Sequence, residues 1–425
     1  MRSSRIAVAL LASLSIVAAA CGDDESDSGD TTATTAAPQE TTGDTAAPDT
    51  TEPAAPETTG AGEVDYMWTP NADVLAGAEG EVNIVAWPGY IEDGTNGPDW
   101  VTPFTDITGC SVNVKLGATS DEMVQLMQSG EYDGVSASGD ATQRLMAGGE
   151  VEAINLDEFT SYDDIFDGLK DQVWNSLDGE PMGIPHGRGA NVLVYNTEAF
   201  PDGLDSWSVM WEGGTDADGA VSVYDSAIYI ADAALWLMTA QPELGITNPY
   251  SLDQAQFDAA IALLESQKAL AGQYWSDYTV QAGSLVDGTV LAGTTWQVVA
   301  NFAASEGAKI ETTKPKEGAT GWSDTWMLSS SAANPNCMKL WMDWISSPWA
   351  NAQATEYFGE APSNSLGCGL TSDPDHCTNF HAEDEDYWTD VWYWTTATEE
   401  CLDGRTDVTC VPYTEWVNAW STLRA

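Results

Sequence analysis

Positive charge is what this chain has least of. Its 425 residues hold 13 Lys and Arg against 67 Asp and Glu, a net charge of −54 with the 3 His neutral. Phosphate backbones and anionic lipid headgroups would be repelled at long range, which argues against nucleic acid as a partner, whereas cations would be drawn in. A uniformly acidic surface also serves solubility alone, so charge by itself assigns no function. Histidine is scarce too, present only as His186, His376 and His381. There is no GxSxG, HExxH or glycine-rich phosphate loop. Nothing therefore supplies a nucleophile with its base or a metal cluster, and the expectation is a protein that is not an enzyme and carries no cofactor or metal. No CxxC occurs, and only His376 beside Cys377 hints at mixed zinc ligands. Past the first twenty residues no apolar run approaches the roughly eighteen needed for a transmembrane helix.

What is present begins with Met1, Arg2, Ser3, Ser4 and Arg5, then a small and apolar stretch from Ile6 to Ala20, then Cys21. A basic start, an apolar run too short to span a bilayer and Ala18-Ala19-Ala20-Cys21 read as a lipoprotein signal peptide over residues 1–20. Cys21 is then the mature first residue and the site of lipidation, which would hold the protein on the outer face of the cytoplasmic membrane. A secreted protein with an incidental cysteine is the plainer alternative. Residues 21–79 are Thr, Asp, Glu, Ala, Pro and Gly with few large apolar side chains. Such a stretch buries too little surface to offset the entropy of ordering it, and is expected to be a disordered tether. Composition changes near Gly80, leaving about 345 residues, a length that suggests two lobes rather than one core.

Six further cysteines, Cys110, Cys337, Cys368, Cys377, Cys401 and Cys410, suggest disulfides in an exported chain. Spacing favours Cys368 with Cys377 and Cys401 with Cys410, leaving Cys110 with Cys337, though six cysteines permit about fifteen pairings.

Val82–Trp87 is a short apolar run entering a Pro-Gly turn, and Ser111–Leu116 alternates; both read as strands. A helix is expected over Trp100–Ile107 and another from Ser120, a plausible cap, through Gln128. Strands follow at Gly183–Pro185, Asn191–Tyr195, Ala220–Tyr224 and Thr289–Ala292, with helices at Ile230–Thr239 and Gln254–Ala269. This order predicts a mostly parallel α/β sheet covered by helices. In such sheets ligands sit beyond the carboxyl ends of strands. The positions singled out on that ground are 87–90, 136–140, 186–188, 225–229, 295–297 and 322–324.

The order Val82-Asn83-Ile84-Val85-Ala86-Trp87-Pro88-Gly89-Tyr90, Glu131-Tyr132-Asp133-Gly134-Val135, Gly183-Ile184-Pro185, Tyr195-Asn196, Ser206-Trp207, Ala292-Gly293-Thr294-Thr295-Trp296 and Gly321-Trp322-Ser323-Asp324 resembles the spermidine/putrescine-binding proteins of ABC importers. The resemblance covers roughly residues 80–365 and rests on order and spacing, since no single motif is specific. It implies a type II periplasmic-binding-protein fold, two α/β lobes hinged around a ligand. The lobes would take residues 80–187 with 323–366, and 188–322 with the C-terminal segment 367–425. It also implies an ABC permease as partner, a monomer, and a small amine as ligand.

In that family aromatic side chains sandwich the methylene chain of a polyamine while carboxylates grip its ammonium groups, each cation–π contact adding about 0.5–2 kcal/mol. Residue by residue, Trp87 and Tyr90 fall on aromatic contacts, Ser138 on a polar contact and Trp296 and Trp322 on aromatic walls. Asp324 falls on the carboxylate that meets an amine. The departures are Ser226 and Tyr229 where the family has an acidic pair, Asp140 and Glu360 in place of tyrosines, and Arg188 in place of a neutral aromatic. Two ligand classes stay open: a di- or polyamine, or a zwitterion such as a γ-amino acid with its carboxylate on Arg188. Each residue also has a plainer reading: tryptophans as packing, Asp140 and Glu360 as solvated acids, Arg188 paired with a neighbouring acid, His186 as structural. A sugar-binding lipoprotein and a surface adhesin are the competing classes.

Overall fold

The computed structural model describes residues 64–95 and 97–425. The leader, Cys21 and most of the expected tether lie outside the described residues. Among the described residues fourteen strands run in chain order, beginning with β1 (Glu81–Ala86), β2 (Ser111–Leu116), β3 (Gly134–Ala137), β4 (Ser176–Leu177), β5 (Glu180–Pro181), β6 (Gly183–Ala190) and β7 (Val192–Asn196). They continue as β8 (Val221–Tyr224), β9 (Ala271–Trp275), β10 (Ala292–Thr295), β11 (Ile310–Thr313), β12 (Ala319–Leu328), β13 (Ala361–Pro362) and β14 (Val391–Tyr393).

Two sheets organise the molecule. The first has seven strands in the order β13-β6-β12-β3-β1-β2, with β14 also on β12; the second has five, β11-β7-β10-β8-β9. Parallel pairs (β1 with β2 and β3, β8 with β9 and β10) are linked through helices, as parallel pairing requires. The chain leaves the first sheet at Asn191 and returns through residues 314–318, so Arg188–Ala190 and Ala319–Trp322 belong to the first sheet. The sequence divided the lobes a few residues away, at 187/188 and 322/323. Each sheet has a large apolar cluster. That of the second also takes in Trp388, Trp394, Trp416 and Trp420 of the C-terminal segment.

Local reading of the elements needs four corrections. The helix Ser120–Met127 is capped by Thr119, whose Oγ1 accepts from the Glu122 N–H, and Ser120 is its first residue. The strand expected at Thr289–Ala292 begins only at Ala292 (β10). Gly288, at φ 68°, closes the preceding helix, and the N–H groups of Thr289 and Val290 donate to the Ser284 carbonyl, so they are spent on the turn. Trp322-Ser323-Asp324 and His186–Arg188 do not follow strands; they lie inside β12 and β6, which pair antiparallel with a register shift at Asp324/Thr325. The ordered chain also starts before residue 80. A short helix Ala72–Ala76 buries Val74, and Trp68 Nε1 donates to Asp343 Oδ2 at 2.9 Å. Trp68 and Tyr66 supply the apolar area that the composition of 21–79 as a whole lacks.

Disulfides join Cys110 to Cys337, Cys368 to Cys377 and Cys401 to Cys410, the pairings that spacing favoured. With its neighbour so engaged, His376 turns Nε2 to the Glu360 carbonyl oxygen, 2.9 Å away.

Candidate functional site

The middle of β12 is where strand ends meet. β3 runs antiparallel to β12 and its carboxyl end stops at Thr325; β14 runs parallel to β12 and its carboxyl end stops at Gly321. Since β6 occupies the other edge of β12 over this stretch, the ends of β3 and β14 face each other across Trp322-Ser323-Asp324. Ser138 follows β3 and Trp394 follows β14. The rule that ligands gather at strand carboxyl ends thus points to Asp324 from both sides.

Asp324, Tyr90 and Glu360 form a buried acidic cluster. Ser138 Oγ donates to Asp324 Oδ1 at 2.5 Å. The Tyr90 hydroxyl lies 2.9 Å from Asp324 Oδ2 and 3.1 Å from Glu360 Oε2. A phenol has one proton, so it donates to one carboxyl and can accept only from another that is itself protonated. Burial pushes Asp324 up to about 6, while burial and then the Asp324 charge hold Glu360 well above its ordinary range. His186 packs on Tyr90 with ring centroids 4.2 Å apart, and its Nε2 is 3.4 Å from Glu360 Oε1 without the alignment of a hydrogen bond. Burial drops His186 to about 3, so it is neutral and gives the carboxylates no charge partner. Glu360 Oε1 is left buried with no donor. Gly187 makes room for this carboxyl, since a Cβ there would lie 2.7 Å from Glu360 Cδ.

Asp140 opens the helix Gly139–Gly148 and is also buried. Ser120 Oγ donates to Oδ1 at 2.9 Å; Arg144 approaches Oδ2 only to 3.7 Å, and Oδ2 has no hydrogen-bond donor. Burial raises Asp140 to about 6, Arg144 opposing the shift. Trp87 and Trp322 are buried with indole N–H groups that meet no acceptor. Trp296 turns to the edges of Tyr224 (5.4 Å between centroids) and Trp275 (5.0 Å). Ser226 precedes the turn Ala227–Tyr229. Tyr229 lies in the core of the second sheet, accepting from Gln267 Nε2 at 3.0 Å and stacked on Trp211, not in the cluster around Asp324.

Arg188 is engaged elsewhere. Its guanidinium donates to both carboxylate oxygens of Glu385 (2.6 and 3.3 Å) and to the Ala382 carbonyl, and lies 4.4 Å over the Trp388 ring. Beside it is a cavity of about 260 Å³ whose lining includes Trp322, Thr312, Phe380 and Lys314. Lys314 in turn pairs with Asp390 and the Tyr387 carbonyl. Both cations of this cavity therefore already hold carboxylates. Among the described residues no group of three His, Cys, Asp or Glu is placed to hold a metal ion.

Sequence reasoning did not single out Tyr224, whose phenol feels the charges of Asp140 and Asp324 after burial, or Trp394, stacked on it. Tyr224 ends a strand it had found, a usable signal. Trp394 lies beyond the region of resemblance, among many tryptophans, with no local mark.

Two α/β sheets, and a buried polar and aromatic cluster where strand ends converge, fit the two-lobed fold of solute-binding proteins. The chain belongs to the bacterial extracellular solute-binding protein family, whose pattern matches residues 99–365. It is 22% identical over 282 residues to the spermidine/putrescine-binding periplasmic protein of Escherichia coli, covering 65% of this chain and 76% of that protein. A putative spermidine/putrescine ABC transporter structure from Listeria monocytogenes superposes with a TM-score of 0.67 at 17% identity, covering 81% of this chain and 99% of that one. The Atu4243-GABA receptor superposes with a TM-score of 0.60 at 15% identity, over 81% and 98% of the two chains. The chain is thus a solute-binding protein of an ABC transporter, a class that binds and delivers its solute rather than transforming it. Among the described residues no helix is long and apolar enough to cross a membrane.

Proposed function

We propose that this protein, anchored through Cys21 on the outer face of the cytoplasmic membrane, captures a small amine of the polyamine type and presents it to the permease of an ABC importer. One observation carries the ligand class: among the described residues Asp324 and Glu360 are buried together with no cationic side chain beside them, and Glu360 Oε1 has no donor. A buried carboxylate needs a proton or a positive charge, and a ligand ammonium supplies the charge together with three N–H donors. The buried indole of Trp322, two residues before Asp324 on the same strand, would offer an apolar wall for the methylene chain and cation–π attraction for an ammonium group. Closure of the two lobes on the ligand would follow from its greater affinity for the closed form.

A zwitterionic ligand is the second reading, favoured by the likeness to the GABA receptor structure. Its carboxylate would have to displace Glu385 from Arg188, losing a bidentate contact already made.

The test is a calorimetric and thermal-shift panel of putrescine, spermidine, agmatine, γ-aminobutyrate, glycine betaine and sugars on the wild type, Asp324→Asn and Arg188→Gln. Putrescine or spermidine should bind the wild type. Asp324→Asn should weaken that binding by about 2–5 kcal/mol, the cost of a buried ammonium without its counter-charge, whereas Arg188→Gln leaves it unchanged. Binding of γ-aminobutyrate alone, lost in Arg188→Gln, would establish the second reading. Sugar binding indifferent to Asp324→Asn would overturn both.

A further inference from the structure

The contact of Tyr90 with two carboxyls is resolved by counting protons. Its hydroxyl oxygen stands 2.9 Å from Asp324 Oδ2 and 3.1 Å from Glu360 Oε2, both hydrogen-bond distances, and carries a single hydrogen. Were both carboxyls ionised, one of these contacts would set a phenol lone pair against a carboxylate oxygen in a buried place. One carboxyl therefore carries a proton and donates it to the phenol oxygen, while the phenol donates its own to the other. Two arrangements satisfy this, and they differ in which acid is left charged.

The donors around the two acids decide between them. Asp324 has a second donor, Ser138 Oγ, 2.5 Å from its Oδ1. Glu360 has none: among the described residues its Oε1 is buried without a hydrogen-bond partner. The elements packed against Glu360 bring no positive charge to it. On β6, His186 is neutral and misaligned at 3.4 Å, and Arg188 turns its guanidinium to Glu385. His376 meets only the Glu360 backbone carbonyl. Asp140 opposes ionisation of Asp324 by its charge, but itself stands 3.7 Å from Arg144. A charge on Glu360 would thus leave a buried anionic oxygen with no donor, whereas on Asp324 it is shared between two hydroxyl donors. The proton affinities run in the same order: burial and then the Asp324 charge hold Glu360 well above the ordinary carboxylate range, while burial brings Asp324 only to about 6.

We propose that Glu360 is a positioning residue, held as an un-ionised acid that donates through Oε2 to Tyr90 and so turns the Tyr90 hydroxyl, and the charge of the cluster, onto Asp324. Its other oxygen, Oε1, is then an uncharged acceptor with no donor. Asp324 Oδ2 and Glu360 Oε2 hang on one phenol oxygen, so the two carboxyls address the same group rather than the two ends of a diamine. The consequence for the ligand rests on the amine reading above: the cluster takes one ammonium, Asp324 supplies its counter-charge and Glu360 Oε1 accepts one of its N–H bonds. Charge is then balanced with the Glu360 proton still in place.

Infrared difference spectra of the ligand-free full chain at about pH 8, wild type against Glu360→Gln and against Glu360→Ala, read that proton directly. Asp324 and Asp140 (about 6) and Asp232 (about 7) have released theirs by then. The carbonyl stretch of an un-ionised carboxylic acid should be present in the wild type and missing from whichever variants melting curves show to be folded. Loss of carboxylate bands instead would overturn the proposal. Calorimetry with putrescine reads the positioning: Glu360→Ala should bind about tenfold more weakly, and Glu360→Gln, whose amide can donate to Tyr90 and keep an oxygen in place of Oε1, should recover most of that loss. Asp324→Asn should lose at least about thirtyfold. Equal losses in Glu360→Gln and Asp324→Asn would mean that both acids act as charges, overturning the positioning role and leaving the amine reading intact. Failure of putrescine and spermidine to bind the wild type would overturn the amine reading, and the proton on Glu360 would stand or fall by its infrared band.

Discussion

Asp324 does two opposed things with protons. In the amine-free protein its folded value of about 6 lies above the ordinary 3.8, so the folded state holds a proton over a range where the unfolded chain has released it. Stability from this group is fully present below the ordinary value and is lost as pH rises through about 6. Asp140, also raised to about 6, acts in the same direction, as does Asp232, raised to about 7 by burial. Without ligand, the melting temperature should therefore rise as pH falls from 7.5 to 5. On the amine reading proposed above, binding would run the other way, because the ammonium needs the carboxylate, so affinity should fall below about pH 6. Thermal melts across this range with and without putrescine check both signs. An Asp324→Asn variant should show a shallower slope when free. The Tyr90–Asp324–Glu360 contact could not be foreseen from local pattern: Tyr90 and Glu360 are 270 positions apart and are brought together by the first sheet, which holds β1, β12, β6 and β13.

Among the elements, the turn from β3 into the helix Gly139–Gly148 shows how one residue type is fixed by a distant segment. Alanine normally stabilises a helix relative to glycine, by about 1 kcal/mol. Here Gly139→Ala should instead destabilise by about 1–3 kcal/mol, since the added carbon meets a backbone carbonyl that cannot rotate away. Urea denaturation checks the sign. Elements with strong periodicity were legible in the sequence: β1 and β2 from their apolar and alternating runs, Ile230–Ala240 and Gln254–Gln267 from helical spacing. β12 was not, because Gly321-Trp322-Ser323-Asp324 mixes small, aromatic and charged residues in a strand buried along its whole length. Periodicity reports a one-sided environment, and this strand has neighbours on every side. β14 has 3 residues, too few for any pattern, and its place beside β12 is decided by the tryptophans packed around it.

For the molecule as a whole, two sheets were legible from the β/α order and length, and the three disulfides from spacing. The crossings at Asn191 and 314–318 were displaced, because strand ends at a hinge carry no turn signal of their own. One of those disulfides has a further outcome. Cys110 and Cys337 are 227 positions apart in the chain, and every strand of the second sheet lies between them. A protease site placed in the exposed turn at Gly214–Asp216 should yield, after cutting, two fragments on a reducing gel and a single full-length band on a non-reducing one. Two bands without reductant would mean that the cysteines are not joined. At the location proposed above, where peptidases are met before any chaperone, such a covalent loop would keep the severed halves in register, so that a nick would be an injury the protein survives.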